Sequence, residues 1–443
     1  MFFPKRSFVL FFLFVSVNLF SQKDSIKLPF ALSDEKKLSD EDLANKKEGT
    51  YITGVPDLSS DPINGFGVGA EGQLFFNGKR TDPFFAYTPY RAEINLALFY
   101  TTRAQREIRM ECEFPYIFNT KWRLHGELGY EVDPNLLYFG VSENSLKPLS
   151  YFPNGDTTKT VNNAMYSDYE NSLSGRKRFY NTYQKEELIT NWIVSRAFME
   201  GKMRIFMGIE VAQANYTTPQ NDSSLLHNDA RAGKILGYGK FIVPMLQGGV
   251  VYDTRDLETD PSKGIFAEYM NEFSSKKIGW SFNIFKTFIH VNIYQKILPK
   301  VFKKCVFAAS IGFAANNKDI PFYELLDQES SEKSIMTLGG SQTLRGFKQG
   351  RFAAPVLQYD NFEMRIRFFQ HNFFKQHFSF SAVPFFDMGG VWDSLDRMSH
   401  TENFRYSEGF GLRVGWNENT TLRFDFAVSK EDRQFFFALQ QPF

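Results

Sequence analysis

The chain has 443 residues, a formal net charge of +1 and a pI near 7.7. That balance excludes the strong basic excess of a nucleic-acid-binding surface. Aromatic residues make up 17% of the chain, with 50 Phe, yet mean hydropathy is −0.33. Beyond the N-terminus no apolar run reaches the roughly 20 residues of a membrane helix. A β-barrel, which hides its apolar residues by alternation, fits both facts.

The first residues, MFFPKRSFVLFFLFVSVNLFSQ, join the basic pair Lys5 and Arg6 to an apolar run from Phe8 to Phe20, with Ser21 as the small residue before cleavage. This reads as a secretory signal peptide over 1–21, since the run is short for a retained anchor. No Cys follows the run, so a lipid anchor is not indicated. Residues 22–50 form a short charged periplasmic segment, too small for a folded domain. Within it, Ser33–Lys47 (SDEKKLSDEDLANKK) reads either as a short helix with Ser39 as N-cap and acids in its first turn, or as a solvated linker. Its expected place is the periplasmic mouth of the barrel.

From Tyr51 onward the pattern has period two, which puts alternate residues on opposite sides of a sheet. In REIRMECEF, Ile108, Met110, Cys112 and Phe114 oppose Glu107, Arg109, Glu111 and Glu113. In KWRLHGELGYEV, Trp122, Leu124, Leu128, Tyr130 and Val132 oppose Arg123, His125, Glu127 and Glu131. The segments KMRIFMGIEV, NFEMRIRF and TLRFDFAV repeat the scheme. Charges of both signs recur on the polar side, as suits a wet lumen facing itself. The signal peptide, the many strands without helical interludes and the terminal Phe443 favour a barrel over a soluble sandwich. The expected fold is all-β: a transmembrane antiparallel barrel of about 16 strands over 51–443. Glu200–Lys202 and Asn417–Asn419 read as periplasmic turns. Long external loops are expected near 133–178, 217–238 and 317–355. Cys112 and Cys305 fall in separate strands, and no disulfide is expected.

Both ends of the barrel carry strand-weakening residues. The first strand reads as Tyr51–Asp57, with Gly54 and Pro56, followed by the turn-like LSSDPING. The last, QFFFALQQPF, places Pro442 and Phe443 at its end, and Gln441 where an apolar residue would fit the alternation. Gly weakens a strand, and Pro cannot donate to a ladder. A weak seam between first and last strands is therefore expected.

The loop segment GGSQTLRGF, Gly339–Phe347, resembles the sixth external loop of the BamA/TamA-like outer-membrane assembly and translocation superfamily, the bacterial surface antigen family. YDTRDLETDPSKGIF (Tyr252–Phe266) resembles its periplasmic turn before the ninth strand. NFEMRIRF resembles its twelfth strand and VPFFDMGGVWD (Val383–Asp393) its thirteenth. These motifs stand in family order. The resemblance implies that the long loop folds back into the lumen and that Arg345 reaches Glu363 and Asp387, acids which the alternation independently places on the lumen side. Arg suits this role because its planar fork matches carboxylates. Gly339, Gly340 and Gly346 would permit tight turns and close approach, while Leu344 and Phe347 would belong to the buried motif. In the turn, Asp253, Arg255 and Asp256 would pair locally, and Pro261 and Gly264 would shape the reversal.

Well-known members carry periplasmic POTRA domains, for which this sequence leaves no room, so a barrel-only member is expected. No catalytic or metal-binding spacing stands out, and the His125/Glu127 pair reads as pore lining. The sequence predicts a non-enzyme without cofactors. It would sit in outer-membrane lipid and insert or translocate client outer-membrane proteins or lipids through the seam. The alternatives are a passive channel or structural barrel, or a barrel that works as a homodimer or with a separate periplasmic partner.

Overall fold

Alternation of this kind drives one face of every strand toward apolar surroundings, and a sheet that closes on itself satisfies all strands together. The computed structural model describes residues 27–61, 64–147, 179–219, 222–302 and 304–443; the expected signal peptide lies outside them. Sixteen strands form one antiparallel sheet in chain order: β1 (Thr50–Asp61), β2 (Gly65–Phe76), β3 (Ala92–Thr101), β4 (Arg106–Phe114), β5 (Trp122–Leu137), β6 (Thr182–Phe198), β7 (Met203–Thr217), β8 (Gly239–Asp253), β9 (Gly264–Ser274), β10 (Ile284–Lys296), β11 (Lys304–Asn316), β12 (Val356–Phe373), β13 (Gln376–Trp392), β14 (Arg405–Trp416), β15 (Thr420–Ser429) and β16 (Arg433–Leu439). Strand number and class agree with the sequence. No helix among the described residues is long and apolar enough to cross a membrane.

The two faces separate as the pattern demands. On β7, Met207 is 73% exposed on the outer face, whereas Arg204, Phe206 and Glu210 are buried inside. Inside, charge is satisfied by crossing strands: His125 meets Glu113 at 3.0 Å, and Arg109 meets Glu127 at 3.5 Å. Cys112 and Cys305 are free. The turns Met199–Lys202 and Asn417–Asn419 lie at the rim where β1 begins and β16 ends, the terminal rim. The connections 218–238 and 317–355 lie at the far rim, where expected; much of the expected loop 133–178 is outside the described residues, and β5 runs on to Leu137.

Both seam strands differ from expectation. β1 runs to Asp61, because Leu58 and Ser59 continue the ladder opposite Val68 and Gly67 instead of turning. Among the described residues β1 and β16 share no ladder, so β1 is an edge strand, where Pro56 is tolerated. Gly54 lies against β2, where a Cβ would meet the Glu71 carbonyl oxygen at 2.8 Å. At the other end, the sheet stops at Leu439. Gln440 has φ +69°, and the chain then leaves the wall for the lumen, so Pro442 removes no ladder bond and Phe443 does not continue the outer row of Phe435 and Phe437. Its ring packs inside with Tyr294, Val306 and Ala308. Gln441 breaks the alternation because it faces polar partners: Arg413 Nε donates to its side chain at 3.0 Å, and it donates to Asp260 at 3.3 Å.

The charged N-terminal segment lies along the terminal rim. Instead of one helix it forms a 3-10 turn, Asp34–Lys36, and α1 (Asp40–Asn45), each capped by a serine: Ser33 accepts from Glu35 N–H and Ser39 from Asp42 N–H. The break falls between two caps, since Ser39 satisfies the first amides of a new helix rather than prolonging the old one. The segment touches successive hairpins. Ser33 N–H donates to Glu200 O at 2.8 Å, Lys36 reaches Asp253 at 2.7 Å, and Leu38 N–H donates to Ala86 O at 2.9 Å.

Candidate functional site

Register sets the lumen cluster. Asn361 stands opposite Asp387 on β12 and β13, and Arg413 opposite Arg423 on β14 and β15. With period-two alternation, Glu363, Asp387, Arg413 and Asp425 then point into one region of the lumen, and all are buried. The far-rim connection 317–355 descends into that region. Gly339 and Gly340 turn it with φ of +104° and +98°, a region that favours glycine. At Gly339 a Cβ would also collide with the Lys348 carbonyl oxygen. Gly346 has a different reason: a Cβ there would stand 2.6 Å from Ser407 Cβ and 2.8 Å from the Val428 carbonyl carbon. Leu344 and Phe347 anchor the turn in an apolar cluster with Leu338 and Phe352 of the same loop and Phe288, Leu357 and Tyr359 of the wall.

These contacts deliver Arg345, which is fully buried. Its Nη1 donates to Glu363 at 2.6 Å, its Nη2 and Nε to Asp387 at 2.7 and 2.9 Å, and its backbone N–H to Asp387 at 3.1 Å. The guanidinium lies 3.5 Å from the centroid of the Phe385 ring. Burial opposes the charge of Arg345, but Asp387 and Glu363 outweigh it and hold its pKa above the ordinary arginine value. A charge this deep is tolerated only when paired and hydrogen-bonded on all sides.

Sequence reasoning missed part of this network. Asp425 is a third acid, 3.3 Å from Arg345 Nη1. Arg365 and Arg413 share Glu363 at 2.8 and 3.3 Å, and Arg413 also binds Asp425 at 2.5 Å. The alternation of TLRFDFAV already put Asp425 on the lumen side; what it lacked was the register to Arg345. The other loop anchors had no motif to reveal them. Lys286 of β10 meets Glu272 at 3.1 Å and Glu324 at 3.4 Å. Ser331 N–H donates to Glu268 at 3.1 Å, and Arg351 holds Glu431 at 2.8 Å.

The turn before β9 is organised around Asp253. It accepts from Arg255 Nε at 3.0 Å and Lys36 Nζ at 2.7 Å. Asp256 does not pair with Arg255. Its carboxylate instead accepts from Ser262 N–H at 2.9 Å, Ser262 Oγ at 2.6 Å and Lys263 N–H at 3.2 Å, which closes the turn around Pro261. Gly264 has φ +108°, and a Cβ there would strike the Thr254 carbonyl oxygen. Pro442 and Phe443 are placed in the lumen rather than at a strand-to-strand seam, while Gly54 and Pro56 lie on the free edge strand.

Comparison with known proteins fits this geometry. The Omp85 superfamily domain matches residues 90–443, and a domain of unknown function (DUF5982) matches residues 28–91. No curated protein sequence matches the chain. Among solved structures, CdiB from Escherichia coli is similar over 88% of this chain and 62% of its own, with 10% identity and a TM-score of 0.54. BamA from Haemophilus ducreyi lacking POTRA domains 1–3 is similar over 89% of this chain and 69% of its own, with 14% identity and a TM-score of 0.49. The chain thus spans under two thirds of the CdiB structure. At 10% identity the likeness to CdiB supports the barrel fold alone; the family rests on the domain match. The chain belongs to the Omp85 superfamily; it is an outer-membrane β-barrel and not an enzyme.

Proposed function

We propose that this barrel inserts or translocates a polypeptide, or a lipid, by offering the edge between β1 and β16. The observation that carries this reading is the missing ladder at that edge. Among the described residues β1 has no backbone partner on its outer side, and β16 ends at Leu439, opposite Leu422 of β15. There β1 approaches β15 only through side chains, with Thr53 Oγ1 2.7 Å from Thr420 Oγ1. Unpaired backbone groups facing lipid cost several kcal/mol each, so a barrel edge of this kind favours the addition of another strand. A client strand is the occupant that fits.

The passive-channel alternative is disfavoured by the lumen, which is crossed by loop 317–355 and underlain by the N-terminal segment. A cavity of about 130 Å³ remains inside, lined by Glu93, Glu113, His125, His290 and Lys333 among others. A photo-reactive residue replacing Ile52, exposed on β1, tests the proposal. Crosslinking to other outer-membrane polypeptides during their synthesis is expected. Products containing lipid only would overturn the polypeptide reading, and products of twice the barrel mass would point to a homodimer. A product with one periplasmic protein would point to a separate partner.

A further inference from the structure

Two neighbouring residues at the deepest point of loop 317–355 connect the two ends of the chain. Glu332 accepts from Arg255 at 2.8 Å and from Arg204 at 2.9 Å. Both arginines also hold Asp253, at 3.0 and 3.5 Å, and Asp253 is the acid that receives Lys36 of the N-terminal segment. Lys36 further lies 3.8 Å from Glu258, which Arg123 binds at 2.8 Å. Lys333 points the other way. Its Nζ donates to the carbonyl oxygens of Gln441 and Pro442 at 3.1 and 3.0 Å. The tail is held further by Arg365, which donates to Phe443 O at 3.1 Å and lies 5.0 Å from the Phe443 ring.

None of these links uses Arg345. Lys36, Asp253, Arg204 and Arg255 are all buried, so each is costly to leave unpaired. Moving Lys36 away leaves Asp253 short of a cation. Arg204 and Arg255, which divide themselves between Asp253 and Glu332, must then redistribute. Glu332 is one peptide bond from Lys333, and Lys333 is the loop's hold on the tail. We infer that Glu332 and Lys333 form an interlock that couples docking of the N-terminal segment to retention of the C-terminal tail in the lumen. In this device, whatever lifts the N-terminal segment from the rim also loosens residues 440–443, which are then free to rejoin the β16 edge. It is a second fastening of the loop beside the Arg345 cluster, which meets it at the tail through Arg365 and Arg413, and it does not depend on what cargo the edge accepts.

The test reads each end while the other is altered. In a Cys112→Ser, Cys305→Ser background, Phe443→Cys and Ala308→Cys report the tucked tail by disulfide yield, since both residues share one lumen cluster. Lys36→Ala and, separately, the milder Glu332→Gln should each lower that yield about fivefold or more, the lower end of measured coupling between sites. Coupling is reciprocal, so deleting residues 440–443 should raise the protease sensitivity of residues 27–48 by a similar factor. Heat-modifiable gel mobility verifies that each variant is a folded barrel. Lys333→Met serves as the direct control, lowering the tail yield without an intermediary. Should Lys333→Met release the tail while Lys36→Ala and Glu332→Gln leave it in place, and tail deletion leave the N-terminal segment protected, the two ends are independent and the interlock is wrong. An unchanged yield in Lys333→Met would equally overturn it.

Discussion

Arg345 and Asp387 are joined by three hydrogen bonds, two from the guanidinium and one from the Arg345 backbone N–H, all within 3.1 Å. The backbone bond matters as much as the charge, because it fixes the loop and not merely its side chain. Arg345→Ala strands Glu363, Asp387 and Asp425 together, with Arg365 and Arg413 left to neutralise them. Removing one partner from a buried ion cluster costs about 3–5 kcal/mol. The barrel should still assemble, with loop 317–355 newly open to protease. Arg345→Lys should fall between, since an ammonium cannot bind two carboxylates as a fork does. Loop cleavage and heat-modifiable mobility identical to the parent would show that the cluster does not hold the loop.

Gly346→Ala probes the same seat without touching a charge. The added methyl group would meet Ser407 Cβ at 2.6 Å and the Val428 carbonyl carbon at 2.8 Å, and main chain cannot yield as a flexible side chain can. Overpacking of this kind costs about 1–3 kcal/mol. The loop should loosen in hydrogen exchange at Leu344–Phe347, less than in Arg345→Ala. Unchanged exchange would mean that the β14–β15 wall gives way at no cost.

Much of this fold was legible because period two is a strong signal when repeated. REIRMECEF and KMRIFMGIEV state which face is which without reference to neighbours. The acids Glu363 and Asp387 could be placed inside on the same ground, and the loop motif named the cation that meets them. Asp425, Arg413 and Arg365 escaped because a cluster spanning four strands depends on register, which alternation alone leaves open. The tail escaped for another reason. The alternation of Phe435, Phe437 and Leu439 resumes at Phe443 after a single polar interruption at Gln441. The chain nonetheless departs at Gln440, and the departure is set by partners inside the lumen, chiefly Arg413, Asp260 and Tyr294, that no local pattern announces. Leu58 and Ser59 show the converse error: residues with turn-like neighbours stay in the ladder because β2 continues opposite them.

Lys46 makes the grip of the N-terminal segment depend on pH. Its Nζ donates to Phe85 O at 2.6 Å and Thr88 O at 2.5 Å and lies 4.3 Å above the Phe85 ring. Burial lowers its pKa to about 7, against a smaller opposing effect of Asp82 and a further lowering by Arg91. The released segment therefore binds more protons than the docked one between about pH 7 and the ordinary lysine value. Docking strengthens as pH rises through that window and gains nothing from it below. Protease cleavage within residues 27–48 should slow between pH 7 and pH 9, relative to an exposed reference site. Lys46→Met should flatten that profile. A parent profile already flat would show that Lys46 stays charged when docked.

The position of the N-terminal segment at the terminal rim also predicts its effect on ions. It bridges the hairpins ending at Glu200, Asp253 and Ala86 and so lies across part of the opening at the terminal rim. Deleting residues 23–47 should leave a folded barrel, because the sheet contacts do not include it, and should raise single-channel conductance in planar bilayers. Conductance equal to that of the full chain would remove any plugging role and leave docking alone.

The seam carries the last prediction. Thr53 on β1 and Thr420 on β15 face each other with 2.7 Å between their hydroxyl oxygens, and Thr420 also donates to Gln73 at 2.9 Å. Because no ladder joins β1 to β16 among the described residues, the terminal-rim end of the seam is joined by side chains such as this bridge and the Asn419–Asn77 bond at 2.9 Å. Each hydroxyl bond contributes about 1 kcal/mol, small beside the several kcal/mol of an unpaired lipid-facing backbone group. The bridge therefore positions the edge without sealing it. Cysteines at both positions, in the Cys112→Ser, Cys305→Ser background, stand close enough to form a disulfide. Oxidation should lock the seam and block growth of cells that depend on this copy, and reduction should restore it. If every molecule is locked and those cells grow normally, the barrel works without parting its edge, and strand addition at β1 is excluded as its mechanism.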